Sequence, residues 1–571
     1  MIDFRNVNTL WASVIVETLH RCGLTLAVIC PGSRSTPLTL AFARHPEITT
    51  IPVLDERSAA FFALGRAKKT GLPTVLVCTS GTAGANFYPA VIEADRSSIP
   101  LIILTADRPP ELRNCHAGQT IDQIKLYGNL PNWQCELALA EANLEMLRYL
   151  RQNMLQAWQQ SLYPRSGVVH INVPWREPLA PIAQPEAVLQ SEFPVDFFDA
   201  VAPTPPISHH VSLPWNSWQG KTGIIIAGLA QPKDPQAYVG AIALLSQQLS
   251  FPVLAEALSP VRNYARLNPY LVSTYDAILR TEAASSLVPE VVIQIGELPT
   301  SKQLRSWLQD LSVQRWVIES RIDNFDPLHG KTVHLNGAIE QIVRDIKPDP
   351  NFKQSNYCRH WCQLEAQTRK NLDTSLVEID RLYEGKVAWL ISRCLPPKTP
   401  IFIANSMSIR NAEYFWQPSD RAIVPYFSRG ANGIEGTLST ALGIAYEDSG
   451  VLLTGDLALL HDTNGFLINQ KFKGHLTIIV INNNGGGIFE MLPIADFPLF
   501  EEYFATPQNV DLARLCAAYN VEHLQIDSWQ QLTDLITDLP TQGIRVLELV
   551  CDRYKDAAWL KSNLAKFGDS Q

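Results

Sequence analysis

The sequence predicts an α/β protein of three domains, each with a parallel sheet flanked by helices. Two observations predict it. Short apolar runs, rich in β-branched residues and ending at Gly, Ser or Pro, recur between helical stretches, as strands buried in a parallel sheet do. The 571 residues are too many for one hydrophobic core, so the chain divides into units of about 150–200 residues.

Leu10, Val14 and Thr18 share one side of an opening helix, and the run Leu26 to Cys30 follows as the first strand. Ile51 to Leu54, Thr74 to Cys78, Leu101 to Thr105 and Val168 to Val173 complete a first domain over residues 1–180. Residues 174–214 hold nine prolines. Each proline fixes φ and removes a backbone donor, so 181–214 reads as an irregular linker crossing the surface. Gly223 to Ala227, Val291 to Ile295, Trp316 to Glu319 and Thr332 to Leu335 build a smaller central domain over 215–347, closed by Lys347-Pro-Asp-Pro350. A helical stretch from about 355 to 395 opens the third domain, 355–571. Its strands are Ile401 to Ala404, Val451 to Thr454, Leu476 to Ile481 and Val546 to Val550. No short repeat is visible.

Hydrophobic content of 46% and charged content of 18% are those of a soluble globular protein. A net charge of −9 argues against a general nucleic-acid binder. An anionic ligand must then be met by locally placed Arg and Lys. Ten scattered cysteines point to reduced thiols and a cytoplasmic setting. Met1-Ile-Asp-Phe-Arg5 lacks a basic segment followed by an apolar one, so no signal peptide is expected. The longest apolar runs, such as Thr477 to Ile481, are strand-sized, so no membrane span is expected.

The strand Val451-Leu-Leu-Thr-Gly-Asp456 ends on a glycine and a carboxylate. Twenty-seven positions later Asn483 follows the strand Leu476 to Ile481. Ligands gather at the carboxyl ends of parallel strands, so Asp456 and Asn483 can converge on one point. A carboxylate, an amide oxygen and a backbone carbonyl suit a hard Mg²⁺ ion that completes its octahedron with phosphate oxygens and water. Gly485, Gly486 and Gly487 let the backbone approach such a ligand. They are not a dinucleotide fingerprint, and Gly223 to Leu229 lacks the glycine spacing for one, so no flavin or nucleotide is expected there. Cys358-Arg-His-Trp-Cys362 lacks the further ligands of a zinc site and reads as a packed helix. His209-His210, in the proline-rich linker, reads as solvated.

Gly-Asp followed after roughly thirty residues by Asn-Asn resembles the thiamine-diphosphate signature, with Leu457 where Gly is usual. Further segments resemble the 2-succinyl-5-enolpyruvyl-6-hydroxy-3-cyclohexene-1-carboxylate synthase family. They are Cys30-Pro-Gly-Ser-Arg-Ser-Thr-Pro37, Asp55-Glu-Arg-Ser58, Thr79-Ser-Gly-Thr-Ala83, Ala106-Asp-Arg-Pro-Pro-Glu111, Gly118-Gln-Thr-Ile-Asp122, Thr300-Ser-Lys302, Asn405-Ser-Met-Ser-Ile-Arg410 and Arg429-Gly-Ala-Asn-Gly-Ile-Glu-Gly436. The matches run from about residue 28 to 493 and touch all three domains.

The resemblance implies a thiamine-diphosphate-enzyme fold and a transferase of menaquinone or phylloquinone biosynthesis. The first domain would bind the aminopyrimidine, and the third the diphosphate and Mg²⁺ (or Mn²⁺). Asp456, Asn483 and the Gly485 carbonyl would be the metal ligands. Glu56 would be the catalytic carboxyl that promotes the imino tautomer of the aminopyrimidine. Ile434 would hold the cofactor bent, with Leu457, Ile488 and Phe489 lining the same cleft. The substrates would be 2-oxoglutarate and isochorismate: the first loses CO₂, and the resulting succinyl carbanion equivalent adds to the second in a 1,4 fashion. Both are dianions, which calls for arginine forks. Ser33, Arg34, Arg108, Gln119, Lys302, Ser406, Arg410 and Arg429 would supply the substrate contacts. Arg410 and Arg429 are assigned to 2-oxoglutarate, and Ser33, Arg34, Arg108, Gln119 and Lys302 to isochorismate. Gln303 stands where some relatives carry a second cation. Glu56 and Asp456 lie in different domains, which in this family implies a homodimer or a dimer of dimers. The alternatives are an acetolactate synthase-like or 2-oxoacid decarboxylase enzyme using the same cofactor, and a non-catalytic binding paralogue.

Overall fold

A computed structural model describes residues 2–184, 193–199, 201–202, 213–346 and 353–568. It contains three six-stranded sheets, parallel throughout.

The first sheet comprises β1 (Leu26–Ile29), β2 (Thr49–Pro52), β3 (Thr74–Cys78), β4 (Leu101–Asp107), β5 (Trp133–Glu136) and β6 (Val168–Pro174), in the order β2-β1-β3-β4-β6-β5. The central strands β1, β3, β4 and β6 are buried at every position. That is why they read as continuous apolar runs rather than alternating ones. The opening helix Val7–Cys22 carries Leu10, Val14 and Thr18 inward, and the Asn6 side chain caps its first turn. It shares one apolar core with the helix Leu144–Leu162.

The chain divides into two compact units, and the first sheet's unit also takes residues 428–448 and 461–473. Within it the helices Glu56–Thr70 and Thr437–Ala445 cross at paired glycines. A Cβ on Gly65 would lie 2.0 Å from the Thr440 carbonyl oxygen, and one on Gly443 would lie 2.1 Å from that of Phe62. Only hydrogen fits at either position.

The second unit holds the other two sheets. The middle sheet comprises β7 (Gly223–Ala227), β8 (Val253–Ala255), β9 (Leu271–Val272), β10 (Val291–Ile295), β11 (Gln314–Glu319) and β12 (Thr332–Asn336), in the order β12-β11-β10-β7-β8-β9, with an apolar core on each face. The third comprises β13 (Pro400–Ile403), β14 (Val424–Tyr426), β15 (Ser449–Gly455), β16 (His475–Asn482), β17 (Glu522–Gln525) and β18 (Gly543–Val550). Its order, β14-β13-β15-β16-β18-β17, repeats that of the first sheet.

Five strands go beyond the sequence reading: β5, β8, β9, β14 and β17. The helical stretch from 355 to 395 is two helices, Asn356–Val377 and Glu384–Cys394, because the chain turns between them. Cys358 and Cys362 lie one turn apart on the first of these. Much of the proline-rich segment 181–214, with His209-His210 and Lys347-Pro-Asp-Pro350, lies outside the described residues. Among the described residues no helix is long and apolar enough to cross a membrane.

Candidate active site

The carboxyl end of the third sheet gathers the first group of predicted residues. Strand β15 stops at Gly455, and Asp456 opens the short helix Asp456–Leu460. Next to it β16 stops at Asn482, which presents Asn483. The Gly485 amide donates to the Asp456 carboxylate at 2.9 Å, so the two loops meet as the spacing predicted. Gly485 has φ +143°, and a Cβ there would lie 2.6 Å from the Ala505 carbonyl oxygen. The turn therefore requires glycine. The Gly485 carbonyl accepts from the Gly487 amide at 2.9 Å and keeps a second lone pair.

Asn483 is buried, and its Nδ2 donates to Glu384 at 3.3 Å. Its Oδ1 is buried without a hydrogen-bond partner. A buried amide oxygen with no donor is costly, and a cation would satisfy it. Burial raises Asp456 to a pKa of about 6. Glu384 rises to about 7, chiefly by burial and then by the charge of Asp556, with Asp456 adding a smaller push. Both carboxyls are thus held in a setting where a bound cation would favour their charged forms. A carboxylate, an orphan amide oxygen and a carbonyl with a spare lone pair fit a hard divalent cation. Leu457 is half-buried beside Asp456. Ile488 packs against the core of the third sheet, and Phe489 packs edge-on against Phe504 at 5.9 Å.

At the end of β13, Ser406 adopts φ +70° at the N-terminus of the helix Met407–Phe415. That conformation is unusual for a residue with a Cβ and marks a constrained turn. Arg410 Nη1 donates to the Ser406 carbonyl at 2.7 Å, and burial lowers the Arg410 pKa. Lys302 is exposed as the first residue of the helix Lys302–Asp310, after β10. Gln303 Nε2 donates to the Leu279 carbonyl at 2.8 Å.

The other predicted residues belong to the first unit. Arg34 follows β1 and is buried. Its backbone amide donates to Thr79 Oγ1 at 3.3 Å and its Nη1 to the Trp175 carbonyl at 3.0 Å, with Glu177 3.4 Å away. Burial lowers its pKa, and the Arg108 charge lowers it further. Ser33 beside it is exposed. A Cβ on Gly32 would lie 2.2 Å from that of Thr79, so this close turn admits only glycine. Arg108 follows β4 directly and donates to the Gly118 carbonyl from Nη2 at 3.0 Å. Gln119 sits at φ +58° and exchanges hydrogen bonds with Ser80: Nε2 donates to the Ser80 carbonyl at 3.0 Å, and the Ser80 hydroxyl returns one at 2.9 Å. Arg34, Arg108 and Gln119 thus converge past the ends of β1, β3 and β4.

Glu56 is the half-buried first residue of the helix Glu56–Thr70, whose N-cap is Asp55. Asp55 accepts from the Arg57 amide at 2.8 Å and from Asn464 Nδ2 at 2.6 Å, which fixes the turn that presents Glu56. Arg429 and Ile434 are half-buried in the loop before Thr437–Ala445. The buried Glu93 carboxylate accepts from the Gly430 and Ala431 amides at 3.1 and 2.7 Å. Glu56, Arg429 and Ile434 belong to one unit, and Asp456, Asn483 and Gly485 to the other.

Sequence reasoning missed the supporting residues. No motif in the sequence singles out Glu384 or Glu93. Asn172 was hidden within an apolar run, yet its Nδ2 donates to Asp107 at 2.8 Å, directly before Arg108. The only signal for them would have been a polar residue placed where a buried face was expected.

Three family models cover most of the chain: the N-terminal binding domain of thiamine pyrophosphate enzymes over residues 11–126, their middle domain over 202–403, and their C-terminal binding domain over 406–548. A protein of Gloeothece citriformis, a 2-succinyl-5-enolpyruvyl-6-hydroxy-3-cyclohexene-1-carboxylate synthase, is 62% identical over 99% of both chains. Its counterpart in Trichodesmium erythraeum is 58% identical over the whole of both. The crystal structure of benzoylformate decarboxylase from Polynucleobacter necessarius matches with a TM-score of 0.68 at 15% identity, covering 96% of this chain and 99% of that one. At that identity the match speaks to fold alone. Sequence identity along the full length settles the rest: the chain belongs to the 2-succinyl-5-enolpyruvyl-6-hydroxy-3-cyclohexene-1-carboxylate synthase family of thiamine pyrophosphate enzymes.

Proposed function

We propose that the protein is a thiamine-diphosphate-dependent transferase that decarboxylates 2-oxoglutarate and adds the succinyl unit to isochorismate, giving 2-succinyl-5-enolpyruvyl-6-hydroxy-3-cyclohexene-1-carboxylate and CO₂. The product serves menaquinone or phylloquinone synthesis. The observation that carries the site assignment is the buried, partnerless Asn483 Oδ1 beside Asp456. Asp456, Asn483 and the Gly485 carbonyl would hold Mg²⁺ (or Mn²⁺), which would in turn anchor the cofactor's diphosphate. Leu457, Ile488 and Phe489 line the wall beside them.

Thiamine diphosphate, when bound, supplies the carbon nucleophile and the electron sink for decarboxylation. The protein's part is to bind, orient and move protons. Glu56 holds and exchanges a proton at the aminopyrimidine ring nitrogen. Ile434 would pack against the cofactor. Arg410 and Arg429 pair with the two carboxylates of 2-oxoglutarate, with Ser406 beside Arg410. Ser33, Arg34, Arg108, Gln119 and Lys302 receive isochorismate. The proximity of Arg108 to Arg34, whose pKa is lowered first by burial and then by the Arg108 charge, supports an anion in that place.

We take residues 1–180 as the pyrimidine-binding domain, 181–214 as a linker, 215–347 as the central domain and 355–571 as the diphosphate-binding domain. The active enzyme is a homodimer or a dimer of dimers, in which one subunit supplies Glu56 and the other Asp456. Ten unpaired cysteines support a cytoplasmic setting.

The test is CO₂ release from 2-oxoglutarate with and without isochorismate, beside pyruvate. Steady turnover only with 2-oxoglutarate plus isochorismate supports the assignment. Turnover of pyruvate alone would transfer it to the acetolactate synthase or decarboxylase type.

A further inference from the structure

One buried cation outside the residues assigned above ties down the loop that carries the proposed metal ligands. Arg553 opens the helix Arg553–Asn563 behind its N-cap, Asp552, and is 6% exposed. Its Nη1 donates to the Asn484 carbonyl at 2.8 Å, on the residue between Asn483 and Gly485. Its Nε donates to Glu490 at 3.0 Å, just past Ile488 and Phe489. Its Nη2 pairs with the Glu501 carboxylate and reaches the Tyr554 hydroxyl at 2.9 Å. The loop is closed from the other side by the Gly486 amide, which donates to the Ala505 carbonyl at 2.7 Å. Three separated points, at 484, 490 and 501, therefore converge on one guanidinium.

A guanidinium can serve three acceptors in one plane, whereas an ammonium has neither the reach nor the geometry. A loop with three consecutive glycines has high conformational entropy when free, so an anchor made before the ion arrives removes that cost from binding. We propose that Arg553 is the positioning residue that pre-forms the metal-binding loop 482–501. This rests on the reading of Asp456, Asn483 and Gly485 as metal ligands.

The experiment uses the full-length Arg553→Lys protein. Hydrogen exchange of the cofactor-free protein should speed up about tenfold or more across 484–505, while β13, β15, β16 and β18 keep wild-type protection. Calorimetric affinity for thiamine diphosphate with Mg²⁺ should weaken by roughly 10–100-fold, the usual cost of losing a partner behind a metal ligand. Unchanged exchange in 484–505 would overturn the proposal. So would a rise shared by the whole third sheet, because that marks mere support of the fold. Glu501→Gln gives a second, milder variant, since Glu501 is exposed. It should loosen the same segment to a lesser degree, and wild-type exchange in it counts against the proposal. If wild-type protein fails to bind thiamine diphosphate with Mg²⁺, the proposed function falls, and the exchange measurement still decides the role of Arg553.

Discussion

The first and third sheets share one strand order, yet the loops past corresponding strands carry different groups. Past β1 and β4 the first sheet presents Arg34 and Arg108, with Gln119 locked against Ser80 beyond β3. Past β15 and β16, the counterparts of β3 and β4, the third presents Asp456 and the orphan oxygen of Asn483. Topology decides where a ligand can lie, and the residues at the strand ends decide which ligand it is. As proposed, the first edge would receive an anion and the β15–β16 loops of the third a cation, although the protein as a whole is acidic.

The largest effect is expected at the cation edge. Asp456→Ala should abolish Mg²⁺-dependent cofactor binding, because it deletes the only charged ligand of the proposed set. The wild-type melting temperature should rise with cofactor and Mg²⁺ through linkage, and that of the variant should not. Near-normal affinity by calorimetry would remove Asp456 from the metal.

Glu56→Gln tests the catalytic role proposed for Glu56 in the first unit. It should leave the cofactor bound and slow exchange of the thiazolium C2 proton by roughly 10²–10⁴-fold, the range for a positioned acid–base residue. NMR in D₂O reads that rate directly, and an unchanged rate excludes the role.

Arg410 and Arg34 test the proposed division of the two substrates. Losing an arginine that pairs with a buried carboxylate costs about 2–5 kcal/mol, because its partner is stranded. Arg410→Ala should suppress the single turnover of CO₂ from 2-oxoglutarate alone. Arg34→Ala should leave that turnover intact and slow only the step that consumes isochorismate. The reverse pattern would exchange the two pockets.

The buried strands were legible because parallel sheets covered on both faces leave continuous apolar runs, such as Thr74 to Cys78 and Leu476 to Ile481. The missed strands lack that signature. Trp133–Glu136 and Glu522–Gln525 are half-exposed edges broken by polar residues, Gln134 and Glu136 in the first and Glu522, His523 and Gln525 in the second, and Val253–Ala255 is buried but only three residues long. In the site, the meeting of Asp456 with the glycine loop followed from strand-end logic alone. Glu56 and the arginines proposed to hold substrate did not: their charges look like solvated surface until a family pattern is laid over them. The supporting groups Glu384, Glu93, Asn172 and Arg553 were illegible for a simpler reason. Each acts through a contact distant in sequence, and no local spacing encodes it.

A smaller and more gradual effect is expected beneath the anion edge. His170 on β6 is buried, and burial lowers its pKa to about 4. It meets Thr105 Oγ1 at 2.8 Å, and that hydroxyl has a single proton, which it gives to Asn172 Oδ1 at 2.9 Å. His170 must therefore donate from Nε2, as the neutral ring does. Asn172 continues the chain to Asp107, whose carboxylate accepts from the Arg108 amide at 2.7 Å. In the unfolded chain a histidine takes up a proton near pH 6.5, so the stability from keeping His170 neutral is present above that value. It is lost as pH falls from 6.5 towards 4, by an amount on the order of 3 kcal/mol. His170→Gln keeps a donor for Thr105 but cannot titrate. Urea unfolding of wild type between pH 7 and pH 4 should show this loss on top of whatever other groups contribute, and the variant should show that much less. Because the subtraction cancels every group the two proteins share, equal slopes would mean that His170 carries no proton-linked stability in the first unit.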